Sequence, residues 1–313
     1  MRGPLSAIAA SWRSPNSYPV ALEVGLSDSP AAVGAIDSST LPLCDGFALC
    51  HHEAIDVGDT ESRPLSLQEI TMPERSLAAL IDHSLLHPTL TDDELRAGCE
   101  LARRLGVASV CIKPYAVRMA AEILTGSPVK VGTVIGFPHG SHATEVKVVE
   151  AETACRDGAT ELDLVANIGK ILSCDWGYVE RDIRAVVDAA HARGAIVKVI
   201  FENDFLPDDE TKIRLCEICQ RVGADFVKTS TGFGFVKQAS GDYNYRGATE
   251  HDVQLMREHT KPPLQVKVAG GVRTFAAANR MRRLGATRIG ASATETILAE
   301  ERAAQEAESP PRG

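Results

Sequence analysis

Nothing in the 313 residues approaches the run of about 18 apolar positions that a membrane-crossing helix needs. Basic charge is also scarce. Lys and Arg number 33 against 42 Asp and Glu, a formal charge of −9, which excludes a chain built to hold nucleic acid or an anionic membrane. An anionic small molecule would have to be met by a local pocket of backbone amides or cations. There is no HExxH, no DxD loop, no GKS/T phosphate loop and no GxSxG elbow. His139 and His142 in IGFPHGSHAT have no Cys or carboxylate at ligand spacing, so they are read as loop residues, and neither a metal nor a cofactor is expected. Eight cysteines form no disulfide framework. Cys216 and Cys219 make a CxxC, but its surroundings read as helix and no second pair follows, so reduced thiols in a cytoplasmic setting are expected. The apolar patch Leu5 to Ala10 is too short for a secretory core, and acidic residues soon after it argue against an organelle-targeting segment.

What is present falls into two parts. Residues 1–70 scatter Pro, Ser, Gly and Asp with no sustained period, which predicts a flexible, poorly ordered N-terminal extension; Met72 just beyond it is an alternative start. From Leu77 onward a short apolar run, a polar turn and a helical segment recur. The runs are LAALIDHS, VASVCI, VKVGTVIG, ELDLVAN, AIVKVIFE, DFVKTS, LQVKVAGG and TRIGAS, separated by amphipathic stretches such as TDDELRAGCELARRLG. Thr91 with Glu94 forms a capping box, Thr211 is a second cap candidate, and Gly106, Gly158, Gly194, Gly223 and Gly285 stand where left-handed helix ends are expected. Eight strand-helix units predict an α/β class and a (β/α)8 barrel over residues 71–305, with 306–313 a disordered tail. A doubly wound open sheet is the alternative.

Four runs carry a charge among apolar neighbours: Asp163, Lys198, Lys228 and Lys267. Outward faces of barrel strands pack on helices, so these side chains are expected to point inward as one coupled cluster. A lysine at a strand end is what carbonyl chemistry requires, because only the neutral amine attacks a carbonyl carbon. A set of salt bridges lining a polar interior is the alternative, weightiest for Lys198. AGGVRT after the seventh run and RIGASATE after the eighth place glycines ahead of helices, where backbone amides and the helix dipole suit a phosphate. Barrels commonly use these two loops for that purpose.

The motifs LIDHSLLHP, VCIKPYAV, VIGFPHGSHATEVKVVEA, ELDLVANIG, KVIFE, FVKTSTGF, KVAGGVRT and IGAS together resemble the deoxyribose-phosphate aldolases, over about Leu77 to Glu300. The resemblance implies a cofactor-free class I lyase that reversibly cleaves 2-deoxy-D-ribose 5-phosphate to glyceraldehyde 3-phosphate and acetaldehyde, in deoxyribose phosphate catabolism. It implies that Lys228 forms the Schiff base, that Lys267 helps keep it unprotonated, and that Asp163 moves protons with an ordered water. Cys111 would line the pocket, with Lys198, Gly232, Gly270, Gly271, Gly290 and Ser292 toward substrate and phosphate. The partner is then a phosphorylated sugar, with a homodimer as the candidate assembly. Another class I aldolase acting on a different aldehyde, or a non-catalytic sugar-phosphate-binding barrel, are the competing readings. The chain departs from the family pattern at Lys113, Phe233 and Ala293, in a longer loop at 236–248, and in a tail without a tyrosine.

Overall fold

Each apolar run needs a partner on both edges, and the eight runs satisfy one another in a ring. In the computed structural model, which describes residues 76–206 and 208–308, the strands are β1 (Ile81–Leu85), β2 (Ser109–Ile112), β3 (Lys130–Ile135), β4 (Glu161–Val165), β5 (Ile196–Ile200), β6 (Phe226–Lys228), β7 (Val236–Lys237), β8 (Tyr243–Asn244), β9 (Gln265–Ala269) and β10 (Arg288–Ala291). Eight of them close a parallel barrel in the order β1, β2, β3, β4, β5, β6, β9, β10, while β7 and β8 pair only with each other as an antiparallel hairpin. The expected (β/α)8 architecture therefore holds, and the long loop after β6 is a hairpin inserted between two neighbouring barrel strands. The proposed N-terminal extension and the Met72 start lie outside the described residues.

The helices are α1 (Asp92–Leu105), α2 (Val117–Ile123), α3 (Thr144–Arg156), α4 (Ile168–Leu172), α5 (Trp176–His191), α6 (Asp209–Val222), α7 (Glu250–Glu258), α8 (Phe275–Arg283) and α9 (Thr294–Glu308). Local sequence explains their ends. Thr91 and Glu94 exchange both bonds of a capping box, and α1 stops at Gly106 in the left-handed region. Thr211 is not a cap: Asp208 is, and its carboxylate accepts from the Thr211 amide at 2.8 Å. A carboxylate one turn earlier outcompetes the hydroxyl for the helix amide. The run LAALIDHS begins as a 3-10 turn over Leu77–Leu80 and becomes strand only at Ile81. At the other end α9 continues to Glu308, past the expected boundary at 305, because EERAAQEAE holds strong helix formers with no breaker. Residues 309–313 lie outside the described residues.

Strand parity divides the interior in two. Leu162, Leu164, Val197, Val199, Val227, Val266, Val268 and Ile289 face outward and join the helices in one buried apolar cluster. The alternate positions, Glu161, Asp163, Lys198, Lys228, Lys267 and Arg288, bond to one another across the barrel axis. The apolar shell thus carries the fold, and inside the barrel the charges gather among a few buried apolar residues such as Val165, Ile200 and Phe226.

Candidate active site

Every charged residue singled out in the strands meets Asp163. The β4 carboxylate is wholly buried, and Lys198 Nζ lies 2.9 Å from Oδ1 while Lys228 Nζ and Lys267 Nζ each lie 2.6 Å from Oδ2. Register explains the convergence: Asp163 pairs with Lys198, Ile200 with Lys228, and Lys228 with Lys267, so the four positions climb adjacent strands on the inward face. Two ammonium nitrogens on one oxygen cannot be further apart than the sum of their distances to it.

Beneath this trio lies a second set that the sequence analysis did not single out. Asp82 of β1 accepts from Ser109 at 2.6 Å and from Arg288 at 2.6 Å, and sits 2.5 Å from Lys267 Nζ. Glu161 of β4 takes Lys198 at 2.8 Å and Arg288 at 2.7 Å. Asp82 stands inside the quoted motif LIDHS, Glu161 two residues before Asp163, and Arg288 at the head of RIGAS. The period-two spacing of Glu161 and Asp163 was the available signal.

Taken together, three carboxylates (Asp82, Glu161, Asp163) face four basic groups (Lys198, Lys228, Lys267, Arg288). Fully ionised, the cluster would hold one positive charge too many in a dry interior, and losing one proton balances it. Burial pulls Lys198 and Lys267 down, but Asp163 and Asp82 outweigh burial and hold both above the ordinary lysine value. Lys228 goes the other way. Burial lowers its pKa, Asp163 opposes, and the Lys267 charge adds to the lowering. Burial would raise Asp163, but Lys198, Lys228 and Lys267 overcome it and keep the carboxyl well below the usual carboxylate range. The depression of Lys228 therefore comes first from burial, with Lys267 as the lesser cause.

Cys111 Sγ lies 3.9 Å from Asp163 Oδ2, and burial together with that carboxylate pushes its thiol up to about 11. Lys198, expected toward the substrate, has its ammonium surrounded by Asp163, Glu161 and Asp82 at 2.9, 2.8 and 3.6 Å. Gly290 stands one step before the expected turn. It belongs to β10 and not to the turn after it, and a Cβ there would come within 3.1 Å of Ala269 Cβ and 3.5 Å of Lys267 Cε. Its small size leaves room for the Lys267 side chain.

At the C-terminal ends of the strands, Gly232, Gly270 and Gly271 have φ of 89°, 100° and 83°, a region that favours glycine. Ser292 is exposed in the turn between β10 and α9. The first amides of α8 are largely spoken for: Phe275 N donates to Glu300 Oε2 at 2.8 Å and Ala277 N to Thr274 Oγ1 at 3.2 Å. A phosphate at AGGVRT would thus rest on the glycine turn itself, and less on the helix behind it. Two departures from the family pattern resolve into packing. Lys113 Nζ donates to the carbonyls of Leu90 (2.8 Å) and Pro88 (3.1 Å), and Phe233 packs edge-on against Phe137 at 5.5 Å.

Glu202 is another buried carboxylate that sequence reasoning passed over, although it ends the quoted KVIFE. It has φ 58°, accepts from the Thr231 amide at 3.2 Å and bonds the Thr231 hydroxyl. Burial raises its pKa, and the Thr231 bonds oppose. It holds the Thr231–Gly232 turn immediately after Lys228.

Comparison with known proteins falls on this same region. The model of the DeoC/LacD family aldolases matches residues 76–295. The chain is similar to a deoxyribose-phosphate aldolase of Rhodopirellula baltica, 50% identical over 226 residues that cover 72% of this chain and 89% of the relative. One of Aciduliprofundum boonei is 47% identical over 227 residues, covering 72% and 97%. Among solved structures, the deoxyribose-phosphate aldolase of Aeropyrum pernix, described as a unique tetramer, is 34% identical with a TM-score of 0.65, covering 73% of this chain and 92% of that one.

Proposed function

Since this chain belongs to the DeoC/LacD family of aldolases, we propose that it cleaves 2-deoxy-D-ribose 5-phosphate reversibly to D-glyceraldehyde 3-phosphate and acetaldehyde, through an imine on Lys228. The observation that carries this reading is the one excess basic group of the barrel cluster. Lys228 is buried, its pKa is lowered, and its only carboxylate partner among the described residues is Asp163 at 2.6 Å.

The steps follow from that geometry. Neutral Lys228 Nζ adds to the C1 aldehyde of the open-chain sugar; the carbinolamine loses water to give the protonated imine. That cation draws in the electrons of the C2–C3 bond as the C3 hydroxyl loses its proton, so C3 becomes the aldehyde of glyceraldehyde 3-phosphate and C2 remains as an enamine. Protonation at C2 and hydrolysis of the imine release acetaldehyde and restore the amine. Asp163, which accepts from both lysines through one oxygen, and Lys267, held charged between Asp163 and Asp82, are assigned the proton transfers. Gly232, Gly270, Gly271 and Ser292 are assigned to the phosphate end.

Borohydride reduction in the presence of acetaldehyde, followed by peptide mapping, tests the assignment. The expected adduct lies on the peptide containing Lys228; an adduct elsewhere removes the Lys228 assignment, and no adduct removes the imine mechanism.

Six described cysteines are free, which supports a reducing, cytoplasmic setting; no described helix is long and apolar enough to cross a membrane. Val146 and Val149 are exposed on α3, which favours self-association as a homodimer, measurable by sedimentation.

A further inference from the structure

The inserted hairpin places one side chain at the mouth with its polar atom buried and idle. Tyr245 Oη is shielded from solvent and has no hydrogen-bond partner among the described residues. Such a group carries a desolvation cost that a ligand can relieve.

The segment around it is not loosely held. Arg246 N and Gly247 N both donate to the Asp204 carboxylate at 2.9 Å, Ala248 N donates to Gly270 O at 3.1 Å, and the Tyr245 ring meets Phe235 at 5.7 Å between centroids. β7 and β8 close the base of the hairpin. The phenol is thereby delivered to one place. A Cβ built on Gly270 would come within 2.2 Å of Oη, one on Gly247 within 2.9 Å and one on Gly232 within 3.9 Å. The hydroxyl thus stands between the turn after β6 and the turn after β9, directly above the strands that carry Lys228 and Lys267.

We infer that Tyr245 is a specificity-determining residue, donating its hydroxyl to the phosphate of the substrate where the Gly232 and Gly270 turns meet. The inference rests on the proposed reading that those turns receive the phosphate. Burial first, and then the Glu202 and Asp204 charges, push the phenol up to about 12, so it stays protonated and acts as a donor over the whole neutral range. Arg273, in the turn after Gly271, is close enough for its charge to oppose that rise. A neutral donor set against a glycine turn, with a cation near enough to act on it, suits a dianion better than an aldehyde or a sugar hydroxyl. Sequence reading treated 236–248 as a loop of unassigned role, because nothing local shows that its tyrosine returns to the mouth.

The test compares cleavage of 2-deoxyribose 5-phosphate and of unphosphorylated 2-deoxyribose by the full-length protein and by Tyr245→Phe, which keeps the ring contact with Phe235. A hydrogen bond to a charged group is worth a factor of about 10 or more in binding. The ratio of kcat/KM for the phosphorylated over the unphosphorylated sugar should therefore fall about tenfold in the variant, with the loss in KM. Inorganic phosphate should inhibit the variant correspondingly less. An unchanged ratio, in a parent protein that prefers the phosphorylated sugar, overturns the role of Tyr245 alone. An equal fall on both sugars also overturns it, by making the residue structural or chemical. A parent protein with no preference for the phosphorylated sugar overturns the phosphate reading underneath.

Discussion

The floor and the mouth of the barrel interior are made from the same kinds of side chain and differ in how carboxylates are distributed among them. At the floor, Lys198 touches Asp163, Glu161 and Asp82, and Arg288 touches Asp82 and Glu161. Every cation there has more than one anion, and Asp163, Asp82 and Glu161 lift Lys198 even though burial pulls it down. Nearer the mouth, Lys228 must share a single Asp163 oxygen with Lys267, which has Asp82 as a second partner. Lys198 and Lys228 are equally removed from water, at 1% and 3% exposure. Burial alone therefore does not set Lys228 apart from Lys198; its shortage of carboxylate partners does.

Lys228→Arg is the hardest strain on that contrast. Arginine keeps the charge and cannot deprotonate, so kcat should fall by at least about 10³-fold and borohydride should trap nothing. Near-wild-type turnover would end the distinction between floor and mouth.

Lys267→Leu comes next. It removes a charge that lowers Lys228 and leaves Asp163 Oδ2 to Lys228 alone, and both changes raise the amine's pKa. Imine trapping is present above the lowered Lys228 pKa and is lost as pH falls through it. The midpoint should therefore move up in the variant, and kcat should fall about 10²- to 10⁴-fold with the lost proton relay. Superimposable pH curves would show that Lys267 does not tune its neighbour.

Lys198→Met sharpens the other half of the comparison. It takes one buried partner from each of Glu161 and Asp163, and breaking a buried pair costs about 3–5 kcal/mol. Urea unfolding should show a loss of that order, with acetaldehyde still trapped on the Lys228 peptide. A stability change near zero would mean that the floor is not locked by its charges.

The smallest effect is expected from Gly290→Ala. The added methyl crowds Ala269 Cβ and Lys267 Cε at 3.1 and 3.5 Å, and overpacking of this kind costs about 1–3 kcal/mol. A fall in kcat of about tenfold, with KM for the sugar phosphate little altered, separates this positioning role from phosphate binding. A change confined to KM would return Gly290 to the phosphate turn.

Much of this was readable before any coordinates. The eight apolar runs became the eight strands of a closed barrel, and Asp163, Lys198, Lys228 and Lys267 did turn inward to one cluster. Parity and the need to bury outward faces against helices made that legible. Asp82, Glu161 and Arg288 were not singled out, because a charge near a strand start resembles an ordinary solvated end until the barrel closes over it. Glu202 was missed for a different reason: its left-handed backbone and its bond to the Thr231 amide are properties of a turn, and no residue type announces them. The capping error at Thr211 was local, a carboxylate at Asp208 standing where a hydroxyl had been preferred.

By itself the chain's order determined the strand-helix rhythm, the faces of each strand and the family to which the motifs belong. These depend on spacing along the backbone, and spacing is what a sequence records. Which lysine gives up its proton was decided only in three dimensions. Asp163 meets Lys228 from 65 residues away and Lys267 from 104. The outcome turns on angstrom distances and on exclusion of water, since Coulomb interactions strengthen with both. The same holds for Tyr245, whose hydroxyl reaches the Gly270 turn because Asp204, from the β5 end of the barrel, ties down the backbone beside it.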